Sequence, residues 1–149
     1  VRDVRCMVLG GHGDSMVPMP QFSTVDGVSI PNLIPTDEID ALNHRTQHGG
    51  AEIVNLLKTG SAYYAPSAAA VAMAKSILRD EHRLLPCAAY LDGQYGLSGL
   101  YMGVPCVLGK NGVERIVELE IEDGGMAKLN ASAEAIRADI ETLREKGLL

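Results

Sequence analysis

Near the C-terminal end of this chain, Leu129, Ala133, Ile136, Ile140 and Leu143 recur at three- and four-residue spacing. Glu134, Arg137, Asp139, Glu141, Arg144 and Glu145 occupy the other positions. The pattern predicts a long amphipathic helix over residues 126–146, apolar on one side only. Such a helix needs an apolar sheet to cover, and the preceding segments supply one. Residues 84–91 read as a strand. Residues 101–108 and 113–121 read as two more, joined by the turn signal Gly109-Lys110-Asn111-Gly112. With one Phe, five Tyr and no Trp, the core must be built mainly from Ala, Val, Ile and Leu.

The first half is less regular. Cys6-Met7-Val8-Leu9 is a short apolar run closed by Gly10-Gly11, a buried strand entering a tight turn. Residues 16–25 can extend, but Pro18 and Pro20 make that strand irregular or peripheral. Val28-Ser29-Ile30 can pair back onto it across Asp26-Gly27. A helix opens at Pro35-Thr36-Asp37-Glu38, with Thr36 as a candidate cap, and Gly60 ends it. Gly49-Gly50 should kink or split it. The clearest helix, residues 66–79, has small residues nearly all round, which implies close packing against a sheet or a second helix. Strands, helices, strands and a final helix predict an α+β fold, a largely antiparallel sheet covered by helices, with residues 1–149 as a single domain.

The formal charge of −6 argues against nonspecific nucleic-acid binding, which needs lysines and arginines to displace phosphate counterions. No apolar run approaches the ~20 residues of a membrane span. Cys6, Cys87 and Cys106 form no CxxC pair and sit among apolar residues, which points to buried free thiols in a reducing, cytoplasmic setting. Val1-Arg2-Asp3-Val4-Arg5 reads as a chain entered in the middle.

The densest chemical signal is Gly10-Gly11-His12-Gly13-Asp14-Ser15-Met16-Val17-Pro18. An imidazole sits between glycines at the end of an apolar strand, where the backbone can turn sharply and leave room beside the ring. Histidine can accept and return a proton near neutral pH. A turn histidine tied to nearby carbonyls is the competing reading. A hydrolytic triad of His12, Asp14 and Ser15 is disfavoured, since residues this close in one turn do not easily form a relay. His44 and His48 stand four apart on one helix face, and a third metal ligand would have to be guessed, such as Glu52. A solvated face is the simpler reading, and no metal site is expected. His82 reads as a surface-loop residue.

The segment 8–18 resembles the active-site histidine motif of the malate and lactate dehydrogenase family, close to the lactate-dehydrogenase-like malate dehydrogenases. The resemblance continues, in the same order, through Gly49-Gly50-Ala51-Glu52-Ile53-Val54, Lys58-Thr59-Gly60-Ser61-Ala62-Tyr63-Tyr64-Ala65-Pro66, and Leu85-Pro86-Cys87-Ala88-Ala89-Tyr90-Leu91-Asp92-Gly93-Gln94-Tyr95-Gly96. It also covers Gly103-Val104-Pro105 and Leu108-Gly109-Lys110-Asn111-Gly112-Val113-Glu114. The histidine motif and five further stretches in order carry far more weight than one glycine-flanked histidine. The resemblance implies the C-terminal half of an enzyme that passes a hydride between a 2-hydroxy acid and NAD. It makes His12 the proton acceptor and donor, and Ser61 and Ala62 lining of the substrate pocket. Tyr63 and Tyr64 are expected in the core or at an interface.

The sequence departs from the complete family pattern. It has no GxGxxG fingerprint, so the NAD-binding Rossmann half is not visible and NAD would be held mainly by that missing N-terminal domain. The family's aspartate partner and substrate arginines would lie upstream of Val1, and Asp14 does not match that partner. The expected partners are a small dicarboxylate, the NAD-binding half and further copies of the same chain. The Ala65-Pro66 pair and the Met16-Val17-Pro18 run resemble the malate branch of the family more than the lactate branch, which implies malate as substrate. An L-lactate dehydrogenase domain is the alternative within the enzyme class, and a non-catalytic self-association module using residues 36–58 is the alternative outside it.

Overall fold

The computed structural model describes residues 2–149. Its main sheet is antiparallel and built around one long hairpin. β6 (Arg83–Asp92) and β7 (Ser98–Gly109) pair along nearly their full length, from Arg83↔Leu108 to Asp92↔Ser98. β2 (Val8–Gly10) joins the other edge of β7 at Gly10↔Gly103, and β3 (Met16–Pro18) flanks β2. β8 (Gly112–Ile116) shares that edge of β7 further along, after a turn at Lys110-Asn111. A separate three-stranded ribbon contains β1 (Val4–Arg5), β4 (Thr24–Val25) and β5 (Val28–Ser29), in the order β1-β4-β5. The α+β class with antiparallel sheets is as the sequence predicts. So is the hairpin across Asp26-Gly27, where Val25 pairs Val28.

Three helices accompany the sheets: α1 (Thr36–Leu57), α2 (Tyr64–Leu78) and α3 (Asp123–Glu145). Side chains alternate across a strand, so Cys87, Ala89 and Leu91 of β6 share a buried face with Leu100, Met102, Val104, Cys106 and Leu108 of β7. α3 lays Leu129 and Ala133, both fully buried, with Ile136 and Ile140 beside them, onto this core. Burying a leucine of this kind contributes roughly 1.5–3 kcal/mol. Leu143, at the end of the same stripe, remains exposed.

Several expectations are corrected. The strand expected over residues 113–121 stops at Ile116. β2 already occupies the edge of β7 at Gly103, so only Val117 makes one further bond, to Pro105 O at 2.8 Å. The following residues are held instead by Tyr95. Its hydroxyl donates to Val117 O (3.1 Å) and accepts from Leu119 N (2.9 Å). Thr36 is not a cap but the first helical residue; Pro35 precedes it and offers no capping side chain. Gly49-Gly50 does not split α1. An interior glycine costs a helix only about 1 kcal/mol, and a two-pronged Arg45–Glu52 ion pair (3.0 and 2.9 Å) brackets the glycines.

α2 packs against the sheet as expected, but along one side only, through Met73, Ser76 and Ile77. Only Ser76 is buried, its hydroxyl donating to Leu108 O at 2.7 Å, while Val71 and Leu78 are largely exposed. Tyr63 and Tyr64 are likewise outside the core, and so are Leu42, Ile53, Val54, Leu56 and Leu57 of α1. Cys87 and Cys106 are buried free thiols as expected, but Cys6 is exposed because β1 and its linker lie at the periphery. Cys106 donates to Val104 O at 3.3 Å. Its hydrogen bond to Cys87, and then burial, push its titration well above the ordinary thiol range, which keeps it unreactive. Among the described residues, no helix is long and apolar enough to cross a membrane.

Candidate active site

Leu9 is fully buried in β2 and fixes the point from which the chain leaves the sheet. At Gly10 the backbone takes φ +86°, a conformation that side-chain-bearing residues adopt only at a cost. A Cβ there would also stand 2.7 Å from Ser132 Oγ and 3.2 Å from Ser15 O. Across the ladder, a Cβ on Gly103 would stand 2.8 Å from Gly10 O. Glycine at both positions is therefore required by the close approach of β2, β7 and α3. His12 follows in extended conformation, and Gly13–Ser15 form a single 3-10 turn that leads into β3.

This loop is tied down from two sides. Ser132 on α3, 4% exposed, accepts from Gly11 N (2.8 Å) and donates to Ser15 O (2.6 Å). Gln47 on α1 donates from Nε2 to Met16 O at 3.0 Å. The backbone on both sides of His12 is thus fixed while its side chain is left exposed. The Ser15 hydroxyl donates to the His12 carbonyl oxygen (3.2 Å) rather than to the ring, so the arrangement is not a hydrolytic relay.

His12 opens onto a cleft of about 460 Å³ walled by α1 and by the α1–α2 connection. Gln47, His48 and Val54 line it from α1, and Ser61 and Ala62 line it from the connection. The three residues singled out from sequence, His12, Ser61 and Ala62, thus border one space although they are far apart in the chain. Among the described residues, no arginine or lysine lines this cleft. A groove of about 490 Å³ lies behind the loop, between α1 and α3, but His12 does not border it.

Sequence reasoning missed Gln47 and Ser132 and considered His48 only as a metal ligand, not as lining of the cleft. Gln47 and His48 become legible only when α1 runs unbroken through Gly49-Gly50, which aligns positions 47, 51 and 54 on one face. Ser132 carried a signal, a polar residue inside the apolar stripe between Leu129 and Ala133. The His44–His48 pair does not form a metal site with Glu52. Glu52 is held by Arg45, whose hydrogen bond and charge keep its carboxyl below the ordinary range, and His48 Nδ1 lies 2.8 Å from His44 O. His82 is exposed, as expected, with Nε2 3.0 Å from Glu114.

Comparison with known proteins places the chain in a family. The model of the lactate/malate dehydrogenase alpha/beta C-terminal domain matches residues 1–146. Malate dehydrogenase of Roseiflexus castenholzii is 56% identical over 145 residues, which are 97% of this chain and 47% of that protein. The solved malate dehydrogenase of Salinibacter ruber superposes with a TM-score of 0.92 at 46% identity, covering 98% of this chain and 48% of the other. The lactate dehydrogenase of Eimeria maxima, solved with NADH and oxamate, gives 0.90 at 37% identity, covering 95% and 44%. The chain spans about half the length of the relatives it matches. With a family model over nearly its whole length and solved relatives that superpose along it, this chain belongs to the lactate/malate dehydrogenase family, as its C-terminal domain.

Proposed function

We propose that this chain is the proton-transferring half of an NAD-dependent malate dehydrogenase. The observation that carries the reading is the convergence of His12, Ser61 and Ala62 on one open cleft, with the His12 backbone pinned on both sides. In this reading His12 Nε2 or Nδ1 takes the hydroxyl proton of malate as the hydride leaves, and returns it to oxaloacetate in the reverse direction. Ser61 and Ala62 shape the wall beside the substrate.

NAD would accept the hydride, but the residues of this chain do not fit its phosphates. A dinucleotide site needs a glycine-rich turn opening a helix. Here α1 opens on Pro35 and α2 on Tyr63, and α3, though Gly124-Gly125 lie in its first turn, opens on Glu122-Asp123, whose charges repel phosphate. The dinucleotide-binding half, the carboxylate partner of the imidazole and the arginine clamp for the dicarboxylate are therefore assigned to another part of the assembly. Exposed Leu56, Leu57, Tyr64, Val71 and Leu78 support docking of that half and association into homo-oligomers. Three free thiols support a cytoplasmic setting.

The test is to combine the chain with a matching dinucleotide-binding half and follow NADH absorbance with oxaloacetate and, separately, with pyruvate. Turnover by the combination and by neither piece alone, faster with oxaloacetate, is the expected result. Faster turnover with pyruvate moves the assignment to lactate. Association of the pieces without turnover on either substrate favours a non-catalytic self-association module.

A further inference from the structure

We infer that Ser132 is a positioning residue for His12, an inference that rests on the reading of His12 as the proton carrier. One hydroxyl engages both arms of the loop, accepting from Gly11 N at 2.8 Å and donating to Ser15 O at 2.6 Å. Those atoms flank His12, one residue before it and three after it. The hydroxyl uses both its acceptor and its donor capacity on this loop. With Ser132 4% exposed, bulk water does not readily take its place.

The anchor beneath it is rigid. Leu129 and Ala133, on either side of Ser132 along α3, are fully buried in the core. The loop's position is thereby tied to the buried core, across 121 and 117 residues of sequence. Gly10 fits the same arrangement, since a side chain there would occupy the space of the Ser132 hydroxyl. At a buried position of an amphipathic helix with Ala131 and Ala133 as neighbours, alanine would satisfy packing alone. Serine adds only the two hydrogen bonds to the His12 loop. Proton transfer depends on placement, and a displacement of about 1 Å can cost about 100-fold in rate.

The experiment compares Ser132→Ala, Ser132→Cys, Ser132→Thr and His12→Asn in the complete two-half enzyme, reading kcat, KM and hydrogen exchange at the Gly11 amide. Ser132→Ala is expected to lower kcat about 10- to 100-fold, in line with the cost of displacing a reacting group. KM for the oxo acid should change less than about twofold, and Gly11 exchange should accelerate while the β6–β7 ladder stays protected. Ser132→Cys fills the site with a poor hydrogen-bonding group and gives the same loss if the alanine variant does not fold. Ser132→Thr, which keeps the hydroxyl, restores most of kcat. Wild-type kcat in a folded Ala or Cys variant, with His12→Asn inactive, overturns the positioning role alone. Wild-type kcat in His12→Asn overturns the proton-carrier reading and this inference with it.

Discussion

Replacing Tyr95 with Phe removes a single oxygen from the segment that links the main hairpin to α3. Tyr95 is 8% exposed and sits in a short turn at φ +55°. The ring and backbone survive the change, including the Tyr95 N–H bond to Glu118 (2.6 Å). The losses are the acceptor for Leu119 N–H and the donor to Val117 O. A buried polar group left unpaired costs about 1–3 kcal/mol. Both partners are only half-buried, so water recovers part of that cost, and the expected total is about 2 kcal/mol. For a chain of this length that lowers Tm by about 4–8 °C. Circular-dichroism melts and urea titrations at pH 7 read it, with the urea midpoint falling and the slope unchanged. Burial, with the Glu118 charge adding to it, pushes the Tyr95 phenol above its ordinary value despite the opposing bond from Leu119. The unfolded chain therefore releases this proton first, near pH 10. The phenol's contribution is complete below that pH and is lost as pH rises towards the folded value. Tyr95→Phe should lack this alkaline loss. A variant melting within about 1 °C of the parent, and falling with the same slope above pH 10, would refute the account of Tyr95 as a tie between the hairpin and residues 117–119.

Other changes probe the core and the loop. Leu129→Ala empties a fully buried site on α3 and should cost about 2–5 kcal/mol, read from denaturant midpoints. Gly10→Ala forces a side chain into a positive-φ position against Ser132 and should cost roughly 2–4 kcal/mol from conformation and overpacking together. Gly13→Ala, where a Cβ meets nothing within 4 Å, should cost only the conformational part, about 1–2 kcal/mol. A thiol reagent should label Cys6 quickly in the folded chain and reach Cys87 and Cys106 only on unfolding, which mass spectrometry of timed samples would resolve.

How much of this was legible in the sequence depended on whether the signal was local. The amphipathic stripe of α3 and the two strands of the long hairpin follow from periodicity, because both faces of each element have fixed environments within the chain. The end of β8 did not, because β2, a hundred residues earlier, occupies the edge that β8 would need. The break expected at Gly49-Gly50 failed because helix propensity is a weak constraint beside tertiary packing, and α1 packs against the His12 loop and β3. α2 packs on the sheet through Met73, Ser76 and Ile77 as its small residues imply, but composition alone does not reveal which side that is, and Val71 and Leu78 face outward. His12, Ser61 and Ala62 were identified through resemblance, and their shared cleft became visible only when α1 was seen as one continuous wall. Ser132 was written in the sequence as a polar interruption of an apolar stripe, but its partners lie more than a hundred residues away.

In the proposed reaction His12 carries the substrate proton. The most direct test is His12→Asn in the combined, active preparation, with folding and association checked by circular dichroism and light scattering. Asparagine keeps a polar side chain in the cleft but cannot exchange a proton near neutral pH, so the account predicts a loss of turnover of about 10²–10⁴-fold with assembly intact. An assembled variant that oxidises NADH at the parent rate would contradict it.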